Sequence, residues 1–382
     1  MKYKPILKVF LASGLFVLAI AVIAGYFVVG LSEAIVNGDK EGFFAGSARK
    51  LGEITGLTDS DRYIILLQNS NEIRATGGFM GSYAQVDFKN GVIEAWELQD
   101  IYVPDGQLAG HVEPIGPIEE AFGTGEWRLR DANWDPDFRD AAADIKWFFE
   151  KGGVDGVDGI IAVNLGFFEP FIDRGFAQSA QEEIESNFFP GSHLKRNLLF
   201  AQAKKFLENT SKIKMLARAV NQLEAGEVLV WFEDEALQRK AEVFGWAGAL
   251  GGYKVDYVYP VESNLGSNKV NCCVSREMEH NAQVKWDMAT SDLRFSWKNE
   301  HEEDVYRNYM RVVLPGEAEA VSVKVDGVAS EFDERKIREF REIGFWAIVP
   351  PDAEAYSEIE YRLPLEGRSY DVVYKKQPGY AD

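Results

Sequence analysis

Cysteine is nearly absent from this chain: Cys272 and Cys273, side by side, are the 2 in 382 residues. Neighbouring residues of a strand point to opposite faces, so a bond between these two would be strained. A disulfide framework and a cysteine metal site are both excluded, and the pair reads as one buried and one half-buried small residue. Positive charge is also short, with Lys+Arg 41 against Asp+Glu 61 and a formal net charge of −20. Such a surface repels nucleic acid and anionic headgroups, which excludes a nucleic-acid partner. It suits an exported protein in a cation-rich envelope. The 4 histidines, His111, His193, His280 and His301, are scattered, and each reads as a surface or satisfied structural residue. There is no G-x-S-x-G, no H-E-x-x-H and no Walker loop, so the common hydrolase, metalloprotease and nucleotide signatures are missing.

What is present is apolar. Hydrophobic residues make up 46% and aromatic residues 13%, ample for packed cores. An uncharged run, Val9 to Leu31, is long enough to cross a hydrocarbon core of about 30 Å as a helix. Lys2, Lys4 and Lys8 precede it, and Glu33 and Asp39 follow. The positive-inside bias predicts a single-pass plasma-membrane anchor, with residues 1–8 cytoplasmic and everything after Leu31 outside. Ala19-Ile20-Ala21 offers the alternative of a cleaved signal peptide, but the run continues well past it, beyond the roughly 7–15 residues of a signal core.

The rest divides by pattern. Residues 32–58 space Ala34, Ile35, Phe43, Phe44, Ala48, Leu51 and Ile54 as one helical face, a juxtamembrane helix or stalk. Residues 59–266 alternate strand and helix signals. The apolar run YIILLQ (63–68) predicts a strand buried on both faces. FMGSYAQVDF and VIEAWEL flank Asn90-Gly91, a hairpin signal. Phe138, Ala141, Ala142, Ile145, Phe148 and Phe149 share a helical face, DGIIAVNL and EVLVWFE read as buried strands, two helices are expected within 192–224, and another at 235–247. This predicts a layered α/β domain. From 267 to 375 the pattern becomes alternating, as in Val321, Val323 and Val325, and predicts a small β-sandwich. QVKWDM (283–288) reads as one of its strands, and 332–342 is charged and ambiguous.

Three segments carry candidate chemistry. RATGGFMGS (74–82) is glycine-rich and joins two strands. It reads either as a tight structural turn or, with Arg74, as a seat for an anion such as phosphate. WRLRDANWDPDF (127–138) gathers Arg128, Arg130, Asp131, Asn133, Asp135 and Asp137. Its D-x-N-x-D spacing suits a hard cation, but Pro136 stands where an EF-hand needs glycine and Ala142 where it needs glutamate. The other reading has Asp137 capping the following helix and the arginines pairing with nearby aspartates. In SHLKRNLLFAQAKKF, Lys195 and Arg196 begin a helix, placed for an anion or simply solvated.

LLQNSNEIRATGGFMGSYAQVDFKNGVI, LRDANWDPDF, VDGIIAVN, QRKAEVFGWAGAL, NLGSNKVN and YRNYMRVVLP resemble a bacterial membrane-anchored family known as domain of unknown function four-zero-one-two, over roughly residues 60–365. The resemblance implies an envelope protein and no particular activity. RATGG, the hairpin and LQDIYVPDG are more distantly similar to the LytR-CpsA-Psr envelope phosphotransferases, as are VDGIIAVNLGFFEPFID and HLKRNLLFAQAKKFL. That likeness implies that Arg74 and Arg196 contact a polyprenyl-linked pyrophosphate and that Asp100 helps hold magnesium. Thr76 stands where the family has a metal-binding aspartate, and Gln99 where it has a catalytic arginine. Two readings follow. One is a binding or scaffolding protein for envelope glycopolymers or their lipid-linked precursors. The other is an altered phosphotransferase, with Arg74, Arg128, Arg130 and Arg196 on the pyrophosphate and a cation at Asp100, Asp131 or Asp135. The sequence fixes no oligomeric state.

Overall fold

The computed structural model describes residues 61–89, 92–123, 125–164, 166–167, 221–251, 255–365, 367 and 369–380. The expected membrane run at 9–31, the stalk at 32–58, the Asn90-Gly91 turn, most of the helices expected within 192–224, and Arg196 lie outside these residues.

The chain opens with β1 (Asp61–Asn69), β2 (Phe79–Lys89) and β3 (Val92–Asp100), then a short helix α1 (Tyr102–Asp105) and α2 (Gly116–Phe122). A 3-10 turn at Leu129–Asp131 leads into α3 (Phe138–Lys151), followed by β4 (Gly159–Asn164), β5 (Val228–Phe232) and α4 (Glu235–Val243). The five strands form one sheet in the order β3-β2-β1-β4-β5. β1 lies at its centre because its apolar run buries both faces. Helix α3 lays Phe138, Ala141, Ala142, Ile145, Phe148 and Phe149 onto that sheet, against Ile64, Leu66 and Ile160. Burial of each phenylalanine or isoleucine in this set stabilises the fold by about 1.5–3 kcal/mol.

The layered α/β core expected for 59–266 does not form. Strand–helix alternation predicts repeated parallel crossovers, yet only β1 and β4 pair in parallel in this sheet. β2, β3 and β5 pair antiparallel. The described residues are sheet-rich, with three five-stranded sheets, and the architecture is that of a β-sandwich protein. No helix among them is long and apolar enough to cross a membrane. Helix α3, the longest described, has 14 residues, against about 20 for a span. The expected partnership with a membrane through an N-terminal helix therefore has no support in the structure and is set aside.

The remaining strands are β6 (Asp256–Asn264), β7 (Val274–Lys285), β8 (Met288–Asn299), β9 (Tyr306–Pro315), β10 (Glu319–Val325), β11 (Val328–Ala329), β12 (Asp333–Ile337), β13 (Phe340–Val349), β14 (Ala353–Pro364) and β15 (Val372–Tyr374). They form two sheets, β11-β10-β14-β8-β7 and β12-β13-β9-β6-β15. Alternating inward residues of both, among them Phe295, Trp297, Met310, Val312, Ile343 and Ile359, make the core between them. The sandwich starts at Asp256, ahead of the expected boundary at 267, because β6 pairs with β9. QVKWDM straddles a hairpin: Gln283, Val284 and Lys285 end β7, Met288 begins β8, and between them Trp286 turns at φ 61 and is exposed. The ambiguous 332–342 stretch is the β12–β13 hairpin, turning through Arg338 at φ 53. Cys272 and Cys273 close a 3-10 turn rather than a strand, the first exposed and the second half-buried.

Candidate functional site

The carboxyl ends of the parallel pair β1 and β4 bring polar side chains together. β1 ends in Gln68 and Asn69, and β4 in Asn164. Between β1 and β2 the glycine-rich segment folds back tightly, with the Gly77 N–H donating to the Arg74 carbonyl at 2.9 Å and the Phe79 N–H to Glu72 at 2.8 Å. Gly77 has φ 130, and a Cβ there would lie 1.9 Å from Asn164 Oδ1, so only glycine fits. Thr76 Oγ1 accepts from Gln68 Nε2 at 2.7 Å and from Asn133 Nδ2 at 3.1 Å, and Asn133 Nδ2 also donates to the Gly78 carbonyl at 2.8 Å. Gln68 Oε1, Asn133 Oδ1 and both polar atoms of the Asn164 amide are buried without a hydrogen-bond partner. A buried amide group left so costs about 1–3 kcal/mol.

Arg74 is 2% exposed. Its guanidinium lies 3.0 Å from Glu72 Oε1 and 3.7 Å from Asp131 Oδ1, and donates to the carbonyls of Ile73 and Asn264. Arg130 continues the chain of charges, 3.6 Å from Asp131 Oδ2 and 2.6 Å from Asp105 Oδ2. Burial pushes the carboxyl pKa of Glu72 and of Asp131 above the usual range, against the pull of the arginines. Arg128 pairs with Glu126 and donates to the Asp105 carbonyl at 3.3 Å.

The rest of the WRLRDANWDPDF segment turns toward the sandwich. Asp135 meets Arg335 at 3.2 Å, and burial raises its pKa. Asp137 is the N-cap of α3, accepting from Arg139 N at 3.0 Å, and also accepts from Leu250 N at 3.2 Å. Burial pushes its carboxyl up, but the Arg139 contacts outweigh it and hold the pKa below the usual range. Arg311, wholly buried, lies 4.0 Å over the Trp134 ring, donates to the Trp134 carbonyl at 2.9 Å, and meets Glu342 at 3.5 Å. Sequence reasoning missed this clamp, since nothing in YRNYMRVVLP marks Arg311, rather than Arg307, as the buried arginine.

Residues 59–173 match the model of the family described as protein of unknown function, DUF4012. The DUF4012 segment thus holds the glycine-rich turn, Asn133, Asn164 and the whole charge chain from Glu72 to Asp105. This match does not extend to the LytR-CpsA-Psr likeness. No curated protein matches the chain. Among solved structures, one from Legionella pneumophila, provisionally named a nutrient binding protein, is 11% identical with a TM-score of 0.18, covering 28% of this chain and 37% of that one. A likeness that slight carries no argument.

The structure brings Arg74, Arg130 and Asp131 together. It leaves Asp135 with the sandwich, and places Asp100 exposed at the end of β3, where its Oδ1 accepts from Tyr102 N at 2.9 Å. Among the described residues no three His, Cys, Asp or Glu side chains group as a metal site. Asp131 and Asp135 are engaged by arginines, and Thr76 bonds amides, so these residues do not fit a magnesium ion. The amides of Gln68 and Asn164 were missed, although each ends an apolar strand and marks the point where it becomes polar.

Proposed function

We propose that this chain is an extracytoplasmic binding or scaffolding protein of the cell envelope, taking hydroxyl-rich stretches of glycopolymers or their lipid-linked precursors at the carboxyl ends of β1 and β4. The observation that carries the reading is a set of buried, uncharged amides in which the oxygens of Gln68 and Asn133 and both polar atoms of Asn164 have no hydrogen-bond partner. Amides offer both donors and acceptors, as sugar hydroxyls do, and a hydroxyl or a water in its place would satisfy them. The phosphotransferase alternative is disfavoured by charge. Phosphoryl transfer needs cationic groups free to neutralise developing negative charge, whereas Arg74 and Arg130 are engaged by Glu72, Asp131 and Asp105.

The test is a thermal-shift titration of the full chain with a soluble wall-derived oligosaccharide and, separately, with a short-chain polyprenyl pyrophosphate, with and without magnesium. A ligand of the native state raises the melting temperature by mass action. The oligosaccharide should do so, less in Asn133→Ala, and the pyrophosphate should show no magnesium-dependent rise. A magnesium-dependent rise lost in Arg74→Lys would instead establish the phosphotransferase site. No rise with saturating oligosaccharide would overturn the binding reading.

A further inference from the structure

A second polar cluster lies away from the amides, at one end of the sandwich. Asp256 begins β6, His280 lies on β7, Tyr361 on β14, and Tyr370 just before β15. Four donor atoms from these residues form a closed ring. Asp256 Oδ2 is 2.7 Å from Tyr361 Oη and 2.6 Å from Tyr370 Oη, and His280 Nε2 is 3.2 Å and 3.4 Å from the same two hydroxyls. Ser291 Oγ stands 3.5 Å from Tyr370 Oη. Outside the ring, His280 Nδ1 is 2.8 Å from the hydroxyl of Tyr374, a half-exposed residue.

Asp256 is the informative member. It is 1% exposed, and its Oδ1 has no hydrogen-bond partner. Among the described residues no lysine or arginine pairs with it, unlike the buried Asp131 and Asp137. A buried carboxylate without a cation is costly, by several kcal/mol. Something positive belongs beside it. Nitrogen and oxygen ligands sit about 2.0–2.2 Å from a first-row metal, so neighbouring ligands are roughly 3.0–3.4 Å apart. The two His280 separations, 3.2 and 3.4 Å, fall within that spacing, and the two Asp256 separations, 2.7 and 2.6 Å, are shorter and open slightly when a cation replaces the phenol protons.

We propose that Asp256, His280, Tyr361 and Tyr370 form a binding site for a trivalent first-row cation, ferric iron. The donor set selects the charge. A phenol has an ordinary pKa of about 10, so it loses its proton to a metal at neutral pH only when the cation is strongly polarising. Carboxylate and phenolate are hard anionic donors, and imidazole completes a set suited to iron rather than to soft ions. On binding, each phenol releases its proton to solvent, and one carboxylate and two phenolates balance the three positive charges. The site ties β6 and the segment before β15 to β7 and β14, so occupancy also fastens one sheet of the sandwich to the other.

The experiment is a titration of the full chain with ferric nitrilotriacetate at neutral pH, read by visible absorption. The expected result is a phenolate-to-iron charge-transfer band saturating at one equivalent, with a rise in melting temperature. Gallium(III), which has no such band, should compete it away. Tyr361→Phe and Tyr370→Phe keep the rings and remove the donors, and each should weaken iron binding by more than about 100-fold. Tyr374→Phe, outside the ring, should keep the band. Absence of the band in the folded wild-type chain would overturn the proposal whatever the variants do, as would a band that survives in the double variant of Tyr361 and Tyr370.

Discussion

Replacing Arg74 by methionine separates a structural arginine from a ligand-binding one. Methionine keeps most of the side-chain length and removes the charge. The loss leaves the Glu72 and Asp131 carboxylates, with side chains 11% and 8% exposed, without their shared cation. It also leaves the carbonyls of Ile73 and Asn264 without the guanidinium donor. Removing one partner from a buried charge network costs about 3–5 kcal/mol. At about 2–4 °C per kcal/mol for a chain region of this size, the melting temperature should fall by roughly 6–20 °C at pH 7.5. The deficit should shrink toward pH 5. Glu72 and Asp131 already have raised folded-state pKa values, and without Arg74 they rise further, so the variant recovers stability as protons return to them. Arg74→Lys should retain part of the loss, because an ammonium cannot span the same forked contacts. The assay is a thermal melt of the full chain followed by tryptophan fluorescence. A shift below about 2 °C, with no pH dependence, would refute the view that Arg74 is held for structure and would return it to the ligand.

Gly77→Ala should destabilise the chain by about 3 kcal/mol or more, because the new methyl group meets the Asn164 amide at a φ that side chains avoid. An ordinary folded variant within about 1 kcal/mol of wild type, by urea denaturation, would contradict that packing. Asp144→Asn should stabilise. Burial, then Asp135 and Asp140, raise the Asp144 pKa to about 6. A carboxyl raised in the folded state costs stability as pH climbs through that range, so the gain should be about 1 kcal/mol at pH 7.5, fade through pH 6 and vanish near pH 4. Melting curves across those pH values check the sign.

Local signals were legible where one interaction decides them. The face of α3 and its Asp137 cap follow from spacing and side-chain chemistry, and both stand as expected. The paired strands around Asn90-Gly91 do as well, since turn chemistry sets a hairpin locally. Pairing between distant strands was not legible. A buried run such as DYVYPVESN looks the same whether it joins the first sheet or the sandwich, and β6 joins the sandwich. The helix–strand alternation misled for the same reason: it fixes the order of elements and leaves open which strands run parallel. In the site, the WRLRDANWDPDF segment was recognisable as polar and dense. Its division between Arg74 on one side and Arg311, Arg335 and Arg338 on the other depends on residues far along the chain.

Gln377 donates to the carbonyls of Arg74, at 3.0 Å and 303 positions away, and of Glu262, at 2.8 Å, while its Oε1 accepts from the Glu262 N–H at 2.8 Å. Gly379 packs against Gly77 so closely that a Cβ would lie 2.4 Å from the Gly77 carbonyl. During synthesis the glycine-rich turn therefore leaves the ribosome long before the residues that lie over it. At about 5–20 residues per second, it waits tens of seconds for its cover. The first sheet has to hold an unfinished polar surface through that interval, and translation of the distal segment becomes the event that completes one wall of it. Proteolytic trimming ahead of residue 377 would return the chain to that earlier, incomplete state.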